Sequence, residues 1–198
     1  MVAATTRKAT AATTRSKAKV KVKAKVDLDS IITKHPDFPK AGILFRDINP
    51  VFRNHGALRF IVSQFSKKFS KSKFDAVAGI ESRGFVVATA LAMKAGTGVI
   101  MIRKAGKLPG NTIKKSYDIE YGSATMELQD GAIKKGQKVL IADDLIATGG
   151  TAVAAAQLVE ELGGRVAGFA FVIELAGLKG TDRLREMGYK VESLVVYD

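Results

Sequence analysis

Residues 138–151 read Lys-Val-Leu-Ile-Ala-Asp-Asp-Leu-Ile-Ala-Thr-Gly-Gly-Thr, an apolar run that meets two adjacent carboxylates and then a glycine-containing turn. Val139, Leu140, Ile141 and Ala142 leave no polar face. A strand built from them must be covered on both sides, which is the situation of a strand inside a parallel sheet. Residues 152–162 are alanine-rich and permissive of helix, and Gly163-Gly164 stops them. Between strand and helix, Thr148, Gly149, Gly150 and Thr151 offer backbone N–H groups and two hydroxyls at a helix N-terminus, where free donors and the helix dipole favour a phosphate. Asp143 and Asp144 precede that cradle at the carboxyl end of the strand, the edge at which open α/β sheets bind ligands. They would repel a phosphate but accept hydrogen bonds well from a pair of sugar hydroxyls, so the combination suits a ribose 5-phosphate. The plainer alternative is that the glycines only make the turn and the aspartates only cap the helix.

The chain after residue 26 continues the same alternation. Residues 74–80, 98–102, 139–142, 166–173 and 191–196 read as five core strands. Helices are expected over residues 57–68, where Leu58, Ile61, Val62, Phe65 and Phe69 share one face, and over residues 84–94. A short helix capped by Asp27 or Ser30 and ended by Pro36-Asp37-Phe38-Pro39 is expected before them. Because each crossover must return right-handedly over a sheet face, the pattern implies an α/β fold with a doubly wound, mainly parallel five-stranded sheet. Residues 104–136 break the alternation. They are long, polar and glycine-containing, with partial alternation at Thr125, Met126, Glu127 and Leu128, and are expected to form a mobile loop followed by an antiparallel strand.

Length and composition narrow the function. With 198 residues, 46% of them hydrophobic, the chain can bury one good core and form one catalytic domain. No apolar run reaches the roughly eighteen residues that span a bilayer, and the best candidate, residues 166–176, carries Glu174. The absence of cysteine excludes disulfides, thiolate catalysis and cysteine metal sites, and His35 and His55 are too few and too separated for a zinc site. Eight of the thirteen net positive charges sit in residues 1–26, which hold no acid and no aromatic residue, leaving five for the body. A moderate positive excess suits an enzyme that handles a polyanion. Residues 1–26 are expected to be a disordered basic extension, with a transit peptide or a basic arm for nucleic acid as alternatives.

Residues 139–151 resemble the phosphoribosyl-diphosphate (PRPP) motif of the type I phosphoribosyltransferases, and four further segments extend the resemblance to the adenine phosphoribosyltransferase family over almost everything after residue 26. Residues 38–48, Phe-Pro-Lys-Ala-Gly-Ile-Leu-Phe-Arg-Asp-Ile, resemble the family's base-binding hood (about residues 27–52), which implies base contacts at Leu44, Phe45 and Arg46 with Phe45 as the stacking ring. The family usually has a second proline where this chain has Ala41. A competing reading makes Phe38, Ile43, Phe45 and Ile48 core residues that anchor the N-terminal segment. Residues 79–85, Gly-Ile-Glu-Ser-Arg-Gly-Phe, resemble the diphosphate loop, which implies ligand contacts at Glu81, Ser82 and Arg83 and a cis peptide near Glu81-Ser82. A guanidinium suits bidentate contact with phosphate oxygens. Residues 102–110 resemble a catalytic flap (about residues 103–122) in which Lys107 meets the diphosphate and Arg103 acts at the neighbouring subunit of a homodimer. In residues 116–122, Ser-Tyr-Asp-Ile-Glu-Tyr-Gly, the resemblance makes Glu120 the residue that handles a proton near N7 of adenine, and Tyr121 the side chain that seals the site.

The implied substrates are adenine and PRPP, the products AMP and diphosphate, and the cofactor Mg²⁺. The ion would be held mainly by PRPP and water, with no direct protein ligand. Arg83, Lys107 and Glu120 are then the catalytic set, while Asp143, Asp144, Ala147, Thr148, Gly149, Gly150, Thr151, Glu81, Ser82, Arg103 and Tyr121 bind PRPP and AMP. The resemblance implies a cytoplasmic enzyme, or an organellar one if the extension is a transit peptide. Neither a membrane nor nucleic acid is an expected partner of the body. Removal of residues 1–26 is expected to leave AMP synthesis intact, measured as diphosphate release, and to abolish any nucleic-acid binding in a gel shift.

Overall fold

The computed structural model describes residues 26–119 and 122–198. In chain order its elements are β1 (Thr33–Pro36), β2 (Leu44–Asp47), α1 (Asn49–Arg53), α2 (His55–Lys68), β3 (Ala76–Ile80), α3 (Gly84–Ala95), β4 (Gly98–Lys104), β5 (Thr112–Ile119), β6 (Gly122–Gln129), β7 (Lys138–Ile146), α4 (Gly150–Glu161), β8 (Arg165–Leu175), α5 (Gly180–Glu186) and β9 (Val191–Tyr197). The expected basic extension lies, up to residue 25, outside the described residues.

Five strands run parallel in the order β4-β3-β7-β8-β9, and they are the five read from the sequence. All five residues of β3 are buried, as an apolar run without alternation requires. The two faces of the sheet build two cores. Val139 and Ile141 of β7 pack with Phe169 and Phe171 of β8 under α4, whereas Leu140 and Ala142 face Ile61 and Phe65 of α2 and Val87, Ala88 and Leu91 of α3. Phe169 and Phe171 lie parallel with ring centroids 5.9 Å apart. Burying a side chain of that size contributes about 1.5–3 kcal/mol, so β8 is a main source of cohesion on its face.

Three expectations need correction. The sheet has seven strands rather than five, because residues 112–129 form a hairpin, β5-β6, whose second strand pairs antiparallel with the end of β4 at Arg103↔Glu127 and Lys104↔Met126. The first strand of that hairpin stands where the sequence pattern predicts a loop. Its apolar residues Ile113 and Tyr117 are sparse and pack on the α4 side through one face alone, next to the Lys115–Glu161 ion pair of 2.5 Å. The short helix expected after Asp27 is a single turn, with Ile31 and Ile32 N–H both donating to Leu28 O, before the chain extends into β1. Pairing of β1 with β2 satisfies that backbone instead. Finally, β7 does not end at the carboxylates but runs to Ile146, paired with Glu174 of β8.

The register between α3 and β7 leaves no room for a side chain at the first turn of α3. A Cβ on Gly84 would stand 2.7 Å from Asp143 Oδ1 and 2.8 Å from Ala142 O. Gly84→Ala is expected to destabilise the protein by about 1–3 kcal/mol, whereas Gly98→Ala, with nothing within 4 Å, should change stability by less than about 0.5 kcal/mol. Urea titration of both variants checks the contrast.

Candidate active site

The chain leaves β3 for β4 on one side and leaves β7 for β8 on the other, so the strand order reverses between two neighbouring strands. A crevice opens at the carboxyl ends of β3 and β7, the place where doubly wound sheets bind ligands. A cleft of about 570 Å³ lies there, lined by Glu81, Ser82 and Arg83 after β3, by Asp143 and Asp144 of β7 and by Thr151 of α4. A smaller cup of about 200 Å³ adjoins it around Ala147, Thr148, Gly149 and Gly150. Asp143 and Thr151 line both spaces, so two motifs distant in the sequence form one continuous surface.

The aspartates are under electrostatic load. Asp144 is buried, and Arg83 Nε stands 2.8 Å from its Oδ2. Asp143 Oδ1 accepts the Asp144 backbone N–H at 2.8 Å. Burial pushes the Asp143 carboxyl well above its ordinary range, and the neighbouring Asp144 charge adds to the shift. Burial raises Asp144 as well, even though Arg83 pulls the other way. Neither carboxylate has enough donors of its own. Two ribose hydroxyls are the kind of donor that would favour their ionised forms.

The cup is made by backbone. The residue before α4, Gly149, has φ 81° and no side-chain cap, so the first-turn N–H groups of α4 are left for a ligand and neither aspartate caps the helix. Opposite them, Gly180 packs its backbone on the loop: a Cβ there would overlap Ala147 O and lie 2.8 Å from Gly149 N. Thr181, the next residue, donates its hydroxyl to the buried carboxylate of Glu174 at 2.5 Å, which ties the start of α5 to the end of β8. Glu174 and Thr181 were not singled out in the sequence, because a glutamate at the end of an apolar strand looks like its solvated terminus.

Around the other rim, the Glu81-Ser82 peptide is cis, as the resemblance implies. Glu81 accepts from Arg103 Nε and Nη2, both at 3.2 Å, and from the Lys104 N–H at 2.9 Å. Burial raises its pKa, but these contacts outweigh that and hold it below the ordinary value. The Arg103 guanidinium therefore faces Glu81 of its own chain, and its Nη1 also donates to Lys107 O at 3.0 Å. The Lys107 and Leu108 N–H groups donate to buried Glu127 at 2.7 and 2.8 Å, with Thr112 Oγ1 at 3.3 Å. Lys107 is thus pinned by its backbone while its side chain is exposed, outside the cleft lining. Lys104 and Tyr117 also line the cleft, beyond the residues that the motifs indicate. Tyr117 shares a segment with Glu120, and its place in an alternating strand was the available signal. Glu120 and Tyr121 lie outside the described residues.

The β1-β2 segment brings an aromatic ring to this rim. Phe45 of β2 is half-buried, its centroid 5.7 Å from Arg83 Cζ, and Phe38 meets it edge-on at 5.2 Å. Phe38, Ile43 and Leu44 are exposed and only Ile48 is fully buried, so the aromatic part of the segment is not core. The Arg46 side chain points the other way, onto the ring of Tyr197 in β9.

In the unliganded protein at pH 7, Asp143→Asn is expected to raise Tm by about 2–4 °C, the shift that about 1 kcal/mol produces in a domain of this size. The substitution removes ionic repulsion yet keeps an acceptor oxygen for the Asp144 N–H. Because the native pKa is raised, the penalty in the parent protein is present above that pKa and relieved as pH falls through it. The gain should therefore shrink on acidification and vanish below the ordinary aspartate range, where native and unfolded chains both carry the proton. Calorimetry across pH checks the sign.

Residues 51–196 match the family model of the phosphoribosyl transferase domain. The chain is 51% identical over 172 residues to an adenine phosphoribosyltransferase of Cenarchaeum symbiosum, covering 87% of this chain and 100% of that relative. Its structure is similar to the crystal structure of adenine phosphoribosyltransferase from Thermoanaerobacter pseudethanolicus, with a TM-score of 0.82 and 42% identity over 86% of this chain and 98% of that one. It is also similar to the Saccharomyces cerevisiae enzyme complexed with an imino-altritol bisphosphate and adenine, with a TM-score of 0.79 and 43% identity over 84% and 96% of the two chains. Together with the carboxylate pair and glycine turn at the switch point, these matches establish that the chain belongs to the adenine phosphoribosyltransferase family of type I phosphoribosyltransferases.

Proposed function

We propose that this protein is an adenine phosphoribosyltransferase, converting adenine and PRPP to AMP and diphosphate in purine salvage. The observation that carries the reading is the position of Arg83, which reaches Asp144 at 2.8 Å on one side and the Phe45 ring at 5.7 Å on the other. A platform for a flat base and a seat for a phosphorylated ribose therefore meet across one side chain. The membership of the chain in the adenine-specific family supports adenine as the base.

In the reaction, N9 of adenine forms a bond to C1 of the ribose as the bond from C1 to the diphosphate oxygen breaks, through a transition state with oxocarbenium character. Positive charge grows on the sugar and negative charge on the leaving group. The α4 amides and the cup hold the 5-phosphate, Asp143 and Asp144 orient the ribose hydroxyls and face the growing positive charge, and Arg83 and Lys107 offset the negative charge. Glu120 handles the proton of the base. Two adjacent carboxylates, one already engaged by Arg83, with no group of three or more metal-ligating side chains among the described residues, fit a Mg²⁺ held chiefly by substrate oxygens and water. When bound, the ion neutralises diphosphate charge, and Asp143 and Asp144 would reach it through water.

A homodimer is part of this reading. Val86 and Met93 of α3 and Val99 and Met101 of β4 are exposed by 39–79%, more apolar surface than a lone face of the sheet needs. Arg103 shares the Met101 face of β4 and would stand at the margin of such an interface. No helix among the described residues is long and apolar enough to cross a membrane. The cytoplasmic location rests on the family resemblance.

Diphosphate release with PRPP and Mg²⁺, offered adenine, hypoxanthine, guanine or orotate in separate reactions, tests the assignment. Turnover is expected with adenine alone, and Glu120→Ala should lower kcat/KM by about 10²-fold or more. Turnover with another base would change the specificity assignment, and no turnover with any base would favour a PRPP-binding regulator.

A further inference from the structure

One ring ties the hood to the body of the protein. Tyr197, at the end of β9, meets three side chains of the N-terminal segment: its hydroxyl donates to Asp29 Oδ1 at 2.5 Å, Arg46 Cζ lies 4.1 Å from its ring centroid and Lys34 Nζ 5.4 Å from it. Lys34 and Arg46 are register partners across β1 and β2, so the hairpin places two cations directly opposite each other. Left alone, such a pair opposes the hairpin. Asp29 offsets it, with Lys34 Nζ 3.0 Å from Oδ1, and the Tyr197 hydrogen bond followed by the Lys34 contact holds the Asp29 carboxyl below its ordinary range. The π face of the ring offsets it from the other side. Arg46 Nε and Nη1 are buried and have no hydrogen-bond partner among the described residues, so the ring of Tyr197 is the group that compensates their burial.

Successive side chains of a strand point to opposite faces. With Arg46 stacked on β9, Phe45 must face the other way, and there it finds Arg83 at 5.7 Å. We infer that Tyr197 is a positioning residue for the base: through the Asp29 hydrogen bond and the Arg46 stack it sets the rotation of the β1-β2 hairpin, and so the place where the Phe45 ring meets adenine. The inference rests on the adenine phosphoribosyltransferase reading for its substrate, and on the contacts of Tyr197 for its geometry.

Steady-state kinetics of the full chain and hydrogen exchange test it together. Tyr197→Ala should raise KM for adenine by about tenfold while KM for PRPP stays within about twofold of the parent value. Tyr197→Phe keeps the stack and loses only the hydrogen bond, so the rise should be smaller, about threefold. Asp29→Ala deletes the acceptor, and with it the exposed Lys34 pair, so its rise should be about the same or slightly larger, and adding Tyr197→Phe to Asp29→Ala should change nothing further, because the bond is already gone. Adenine and PRPP KM values rising together, or a fall in kcat with both unchanged, would overturn the inference in favour of a general packing role. If Tyr197→Ala does not fold, the Tyr197→Phe and Asp29→Ala pair carries the same comparison. Amides of residues 33–47 should exchange faster in the variants, with those of β7 unchanged. Parent-like exchange in residues 33–47 would overturn the positioning role of Tyr197 even if the parent enzyme proved inert toward adenine, a result that would by itself overturn the activity.

Discussion

The ion pair between Arg83 and Asp144 is the contact on which the site depends. Arg83 belongs to the turn between β3 and α3, Asp144 to β7, and the two strands are neighbours whose crossovers diverge. A buried carboxylate with no cation beside it would be costly, and a guanidinium is the side chain best shaped to supply one while keeping donors free. Because the same guanidinium also stands near the Phe45 ring, the pair holds three separate stretches of chain at one point. Gly84, immediately after Arg83, permits this approach by leaving no Cβ between α3 and Asp143.

Four carboxylates near the cleft show how donor supply, rather than burial alone, decides their state. Glu127 and Glu81 are pushed up by burial, yet backbone N–H groups and, for Glu81, Arg103 bring them below the ordinary range. They are satisfied without a ligand and hold the backbone of residues 104–108. Their contribution to stability is present above the ordinary glutamate range and fades as pH falls through their lowered values. Asp143 and Asp144 are pushed up by burial, with the Asp144 charge adding to the shift of Asp143, and the few donors around them, Arg83 included, do not bring them back down. A ligand that brings hydroxyl donors relieves what the fold leaves unrelieved there, which is the usual relation between a binding site and its stability cost.

The five parallel strands were legible because each is a short apolar run between helix-permissive segments, and the PRPP segment was legible because its residue types serve one chemistry in one order. The hairpin β5-β6 was half-legible: Met126 and Leu128 announced β6, while β5 buries too little on its single covered face to stand out. The turn at residues 27–32 has helix-capping residues but no room for a helix, since β1 must reach register with β2. Glu174 and Thr181 were invisible for a different reason, as each is an ordinary polar residue until the strand and α5 bring them together.

By itself the sequence determined the layered α/β architecture, the strand that carries the carboxylates and the anion cradle after it, because those follow from local periodicity and from residue chemistry at neighbouring positions. Only the tertiary structure decided that β7 runs on past the aspartates, that Glu127 and Arg103 pin the loop after β4, and that Arg46 turns away from the Phe45 side of the strand to rest on Tyr197. Each of these is a contact between segments far apart in the chain, where the outcome depends on which donors, rings and charges the folded sheet brings within reach, and no local pattern carries that information.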